Sequence, residues 1–483
     1  MKKLFLITIL FLANSFQSQA NNLVVGTPTI SGSTLTFTIK WDNSWYVTSG
    51  PSNWDAVWIF VKRQSCVTGA VSPWLHGQLS AAGQSVTGSV LQVDTVSDNA
   101  GVFVRRSAAG IGNIAQATVT ITLASPVGAD NIGVYAMEMV NVPQGDFYIG
   151  DNNRPSYYVF GNATNQAVQI TSTTTNLTKE QYGAQEQLGS TVALPSTYPY
   201  GYNRFYCMKY DITCAQYVSF LNTLSYEQQL HKQQDMNWNT TPPTSAAGTS
   251  FMSNWGYRIE IKTPAISTTS LTPAVYACDA NDNGVYDEDC DGLGFPVALR
   301  QEHWLTYLEW AALRPMTEFE YEKACRGPLA PVSGEYAWGT TDIAQFQYTN
   351  ANWGCSTDIQ TYFALGLCNY QTSRMYRAGS AATANTDRVH AGATYYGIAD
   401  MTGGTYDRCV GGWGYDYSTF TTANGDGNIN ADGTCGNTIW NSMQFMNKGG
   451  SAQWSHGMHL SSRAYFNDPS YGQAQGGRGV RSY

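Results

Sequence analysis

The chain has 483 residues and a net charge of −9, from 26 basic and 35 acidic side chains. Only 13% of residues are charged, against about 25% in ordinary soluble domains. No Lys/Arg cluster appears in the sequence, which excludes the electrostatic footprint of a nucleic-acid-binding protein.

The first twenty residues, MKKLFLITILFLANSFQSQA, combine a basic start, a short apolar run and a small-residue end. This is the pattern of a secretory signal peptide over residues 1–20, with the mature chain starting at Asn21. No later segment supplies the roughly 18 uninterrupted apolar residues of a transmembrane helix, and no cysteine sits at the cleavage point to accept a lipid. The expected location is therefore exported: periplasmic, cell-surface or extracellular. Ten cysteines in an exported chain favour disulfides, and spacing suggests Cys278 with Cys290, Cys355 with Cys368, and Cys409 with Cys435. Cys66, Cys207, Cys214 and Cys325 have no evident partner.

From residue 22 to about 140 the texture is β. The stretches TLTFTIKW, AVWIFVKR, GVFVRR and ATVTITLA alternate or run apolar over strand lengths between Gly, Ser, Asn and Asp clusters. A β-sandwich over 21–136 is the economical assignment. The aromatics of WDNSWYVTSGPSNWDAVWIF suit either a carbohydrate platform or the core and rim of that sandwich.

Beyond it, long polar loops are broken by short helices. Thr213 with Gln216, and Thr317 with Glu320, form capping boxes, and Gly327 stops the second helix. In CDANDNGVYDEDCDG, the alternating Asp279, Asn281 and Asn283, the turn-permitting Gly284 and then Asp287 have the oxygen spacing of a Ca²⁺ loop. Position twelve is Cys290, so Glu288, Asp289 or Asp291 would complete the shell; an acidic turn closed by a Cys278–Cys290 bridge is the alternative.

The stretches VPQGDFYIGD, FYCMKYDITCAQYVSFLN, LRPMTEFEYEKACRG, YAWG, YYGIADMTGGTYDRC, KGGS and GGRGVRSY follow one another over 137–483. In this order the chain resembles the formylglycine-generating enzyme, or sulfatase-modifying factor, family. The whole composition is similar to that of secreted multi-domain members from Bacteroidota-type bacteria. The resemblance implies an α+β chain: an N-terminal β-sandwich, then a variant of the C-type lectin fold with little regular secondary structure. An insertion at about 224–300 carries the Ca²⁺ loop.

The resemblance also implies structural calcium, held by Asp400 and Asp407 side chains and by the Gly403 and Thr405 carbonyls, with Asn352 at a second site. Family enzymes bind Cu(I) through two cysteines just after GGS, because a soft ion needs thiolate ligands. Here those positions hold Trp454 and His459, and no cysteine follows Cys435. Copper and the formylglycine reaction are therefore not expected, and no catalytic residue is assigned. The six histidines, at 76, 231, 303, 390, 456 and 459, do not match the iron-dependent sulfoxide synthase branch either.

In related C-type-lectin-like proteins the segment before the terminal GFR-type strand contacts ligands. Here it spans Ala452 to Gln475, and Trp454, Ser455, His456, Met458, His459, Tyr465, Asn467 and Tyr471 are the candidate contacts. The reading is thus a secreted binding or surface-assembly protein on an inactive enzyme-like domain, with a protein or glycan ligand at the cell surface. A metal-dependent oxidase of altered chemistry and a structural part of an envelope secretion or gliding machine are the alternatives.

Overall fold

The computed structural model describes residues 17–18, 22–66, 72–88, 90–152, 159–162, 164, 166–177, 193–234, 241–268, 271–347, 352–411, 417–464 and 475–483. It is mostly sheet with few helices. The N-terminal third supplies strands β1 (Leu23–Val25), β2 (Thr34–Tyr46), β3 (Asp55–Gln64), β4 (Val102–Arg106), β5 (Gly110–Thr122) and β6 (Asn131–Val142). β2 pairs antiparallel with β1 and β5 in one sheet, while β3 lies between β4 and β6 in another.

The two sheets share an apolar core in which Leu35, Phe37, Ile39 and Trp41 meet Val57, Ile59 and Val61. The other face of β3 carries Ala56, Trp58 and Phe60 into a second core, made with the C-terminal two thirds of the chain. Burial on both faces explains why AVWIFV is a continuous apolar run, whereas TLTFTIKW on β2 alternates.

The second sheet does not stop where the texture of the sequence changes. β6 pairs with β3 over Asn131 to Val140 and with β7 (Phe205–Met208) over Met139 to Val142. β7 in turn pairs with the last strand of the chain, Val480–Ser482. Hydrogen bonds across the junction add to the sheet: Trp58 Nε1 to the Ala311 carbonyl at 3.0 Å, Asn53 Nδ2 to the Tyr396 carbonyl at 2.8 Å, and Trp54 Nε1 to Tyr206 Oη at 2.9 Å.

Helices α1 (Cys214–Leu221), α2 (Gln301–Trp310) and α3 (Glu318–Arg326) pack beneath this sheet and against the loops. Both capping boxes form as the sequence indicates, and Gly327 takes the positive φ of 68° that stops α3. Among the described residues no helix is long and apolar enough to cross a membrane.

The structure corrects the cysteine pairing. Cys290 bonds to Cys355, across 65 residues, while Cys278, Cys368, Cys409 and Cys435 are buried free thiols. Cys409 and Cys435 lie in different apolar cores, so nearness in sequence misled. Cys66, Cys207, Cys214 and Cys325 are also unpaired.

Candidate functional site

Every residue of α3 is buried, although the helix reads EFEYEKACR. Burial of so many charges is tolerable only if each finds a partner. Glu320 holds Arg314 through two bonds of 2.6 and 2.8 Å, and Glu318 holds Arg463 at 2.9 Å. Arg326 reaches Glu335 at 2.5 Å, Glu322 at 3.1 Å and Ser461 Oγ at 2.8 Å. Lys448, which ends the strand Phe445–Lys448, sits 3.9 Å from both Glu318 and Glu322 and donates to the Ser462 carbonyl at 2.8 Å. Lys323 donates to the Gly201 carbonyl at 2.6 Å, and burial pushes its ammonium down to about 7.

This charged helix anchors the far end of the segment 452–464 through Ser461 and Arg463, and Lys448 holds Ser462. The near end is fixed by glycines. Gly450 has φ of 70°, and a Cβ there would lie 2.3 Å from Met458 Cγ. Ser451 then closes a turn: its N–H donates to the Trp454 carbonyl at 2.8 Å and its Oγ accepts from the Trp454 N–H at 3.1 Å.

Between these anchors the candidate contacts divide. Trp454, Ser455 and His456 are exposed, Trp454 by 41%, and the Trp454 and His456 rings stack at 5.9 Å. Gln371 Nε2 donates to Ser455 Oγ at 3.2 Å. Met458 turns inward, 3% exposed, into the core of Tyr321, Trp338 and Met401. His459 is half-buried, with Nδ1 bonded to the Gly334 carbonyl at 2.8 Å and its ring on Tyr336 at 4.8 Å. The carbonyl can only accept, so Nδ1 carries the proton. Tyr465, Asn467 and Tyr471 lie outside the described residues.

The positions proposed for calcium form two groups. Asp400, Thr405 and Asp407 gather near Arg478, with Asp211 as a member that sequence reasoning missed, while Gly403 donates its N–H to the Gly449 carbonyl at 2.8 Å. Arg478 donates from Nη2 to Asp211 at 2.7 Å and from Nε to Asp407 at 2.9 Å, and it reaches the Asp400 carbonyl at 3.2 Å. Thr405 Oγ1 also donates to Asp211, at 2.8 Å. Burial, offset by Arg478 and reinforced by mutual repulsion, raises Asp407 to about 7; burial raises Asp400 to about 6 and lifts Asp211 as well. Asp407 Oδ2 is buried without a hydrogen-bond partner.

The second group is the loop 279–291. Asp279 is fully buried and accepts from the Asn283 and Gly284 N–H groups at 3.1 and 3.0 Å. Asn281 donates to Asp291 at 2.7 Å, Asn283 accepts from the Val285 N–H at 2.7 Å, and Asp287 accepts from the Cys278 N–H at 3.0 Å. Glu260 and Asp282, which sequence reasoning missed, bring carboxylate oxygens within 4.8 Å of one another and of Asp279. Arg258 pairs with both of them. The Cys290–Cys355 bond and the Gly292 N–H to Gly354 carbonyl bond of 3.0 Å tie this loop to the segment carrying Asn352, itself exposed.

His456 and His459 belong to no group of three or more converging His, Cys, Asp or Glu ligands among the described residues. The two rings have different surroundings, one stacked on Trp454 and the other on Tyr336.

Compared with curated proteins, the chain matches none. The family model of the sulfatase-modifying factor enzyme 1-like domain matches residues 133–482, beginning inside β6. That match takes in α3, the glycine-anchored segment and both acidic groups, and on it the chain belongs to the FGE-sulfatase family.

Proposed function

We propose that the chain is an exported binding or surface-assembly protein, built on a formylglycine-generating-enzyme-like domain that does not run the family oxidation. The observation that carries this reading is the exposed tip of Trp454, Ser455 and His456 on a rigid, charge-anchored scaffold. By the family resemblance, Trp454 and His459 stand where the copper-binding cysteines belong, and no cysteine follows Cys435. An exposed aromatic beside small polar groups is the composition of an adaptable contact surface. The ligand is a protein or glycan at the cell surface. In this reading the N-terminal strands form a β-sandwich attachment module whose second sheet continues into the remainder, the C-type-lectin-type variant of the fold.

Structural calcium belongs to the same proposal. Near Arg478, the buried Asp211 and Asp407 carboxylates share one guanidinium, Asp400 lies beside them with its carbonyl on the same group, and Asp407 Oδ2 has no partner, an excess of negative charge that a divalent cation would offset. In the loop, Asp279, Asn281, Asn283 and Asp287 would hold a second ion together with Glu260 and Asp282. The ions would supply rigidity, not chemistry.

The test is to load the purified chain with Cu(I), desalt it, and measure retained copper and oxygen uptake with a cysteine-containing peptide. No retained copper and no uptake fits the proposal. Stoichiometric copper with uptake, both lost in His459→Ala, would make the segment a rebuilt oxidase site.

A further inference from the structure

One face of the continuous sheet, where β3 starts and the chain's last strand ends, carries Trp54, Tyr206, Arg204 and Tyr483. Register places them together: β7 pairs Phe205 with Ser482 and Tyr206 with Arg481, so Arg204 falls opposite Tyr483. The Arg204 Cζ lies 3.6 Å from the Tyr483 ring centroid, 5.4 Å from that of Trp54 and 5.6 Å from that of Tyr206. Tyr46 meets Trp54 edge to face at 5.2 Å, and Arg105 lies 4.4 Å over the other part of this row.

The neighbouring guanidiniums have carboxylates: Arg105 pairs with Asp94 and Arg481 with Asp98, both at 2.6 Å. Arg204 pairs with none among the described residues, and its Nε and Nη2 are buried without an acceptor. Across the sheet from Tyr206, Asn141 is 1% exposed and both atoms of its carboxamide lack partners. Two unsatisfied polar side chains thus share one face with three aromatic rings. Desolvated donors without acceptors cost stability and are satisfied when a ligand brings an oxygen.

We propose that Trp54, Arg204 and Tyr483 form a binding site for a carboxylate-bearing sugar, a uronate unit of an acidic polysaccharide. Arg204 has the planar donor geometry that matches a carboxylate, and Tyr483, 58% exposed, covers it with a ring that has to shift for a ligand oxygen to reach Nε and Nη2. A uronate has both features on one rigid ring: an in-plane carboxylate and an apolar C–H face. A glutamate side chain has the carboxylate on a flexible stem and nothing to cover the tyrosine. The net charge of −9 does not oppose this, because at physiological salt charges beyond about 8 Å are screened and the local group is a guanidinium. The site contains no residue of 452–475 and stands apart from the function proposed above.

The test is calorimetric titration of the whole chain with polygalacturonate, dextran and poly-L-glutamate. Polygalacturonate should bind and dextran should not, and binding should weaken with salt. Arg204→Met and Tyr483→Ala should each weaken it by about tenfold or more in protein that still melts cooperatively. Full affinity in Arg204→Met, or equal binding of dextran, overturns the site; equal binding of poly-L-glutamate overturns the uronate assignment in favour of an acidic peptide.

Discussion

Arg478 Nε donates to Asp407 Oδ1 at 2.9 Å, and both side chains are almost wholly inaccessible to solvent. The same guanidinium serves Asp211. Removing it would leave two buried carboxylates without their counter-charge, which costs about 3–5 kcal/mol for a broken buried pair. Arg478→Met should lower the unfolding free energy from urea titration by that amount. A loss below about 1 kcal/mol would mean that the carboxylates are protonated or otherwise paired.

The acids of this cluster also predict a pH dependence. Asp400 and Asp407 have folded pKa values raised to about 6 and about 7, above the unfolded value near 3.8. The folded state therefore holds their protons more tightly. Stability from this source is full below pH ~4 and declines as pH rises through 6 to 7 in chelator. Asp400→Asn, which cannot ionise, should flatten part of that decline in melting temperatures taken from pH 4 to 8. An unchanged slope would assign the titration elsewhere, with Glu309, raised to about 7 by burial, the next group to change.

Calcium should show itself as a melting-temperature difference between chelator and excess Ca²⁺ at pH 7.5. An ion at a hundred times its Kd adds about 2.7 kcal/mol. Asp279→Asn should remove the share due to the loop, and Asp407→Asn the share near Arg478. No difference in the unaltered chain would dismiss both ions.

The Cys290–Cys355 bond closes a loop of 65 residues, for which the chain-entropy argument gives about 4 kcal/mol. The double variant Cys290→Ala, Cys355→Ala should melt correspondingly lower, and the unaltered chain should show this loss on reduction. Peptide mapping without reductant should recover 290 linked to 355. Linkage of Cys278 to Cys290 would contradict the structure.

Trp454 and Met458, four residues apart, should answer oppositely. Met458, buried against Gly450, should cost about 2–5 kcal/mol when replaced by Ala. Trp454→Ala should change stability by less than about 0.5 kcal/mol while abolishing ligand capture. Equal losses in thermal melts would place Trp454 in the core.

Local features were legible in the sequence and remote ones were not. The capping boxes at Thr213 and Thr317 and the strands in AVWIFVKR and TLTFTIKW are short-range patterns, and they formed as read. The burial of α3 was invisible, because a run of Glu, Lys and Arg reads as a solvated face until Lys448 and Arg463 arrive from distant segments and Arg314 folds back onto Glu320. Asp211 and Arg478 meet across 267 positions, beyond the reach of any spacing argument. The KGGS element marked where the candidate segment begins, but only geometry separates the exposed Trp454 from the inward Met458.

The sheet that runs from β4 through β3, β6 and β7 to Val480–Ser482 has a kinetic consequence. The strand Val480–Ser482 is synthesised long after its neighbour, so β7 waits as an open edge until those residues have been made. Assembly must follow synthesis and close over large sequence separations, which makes it slow. A product truncated before residue 480 would keep that edge unpaired, a template for self-association, and quality control would meet it as an aggregate.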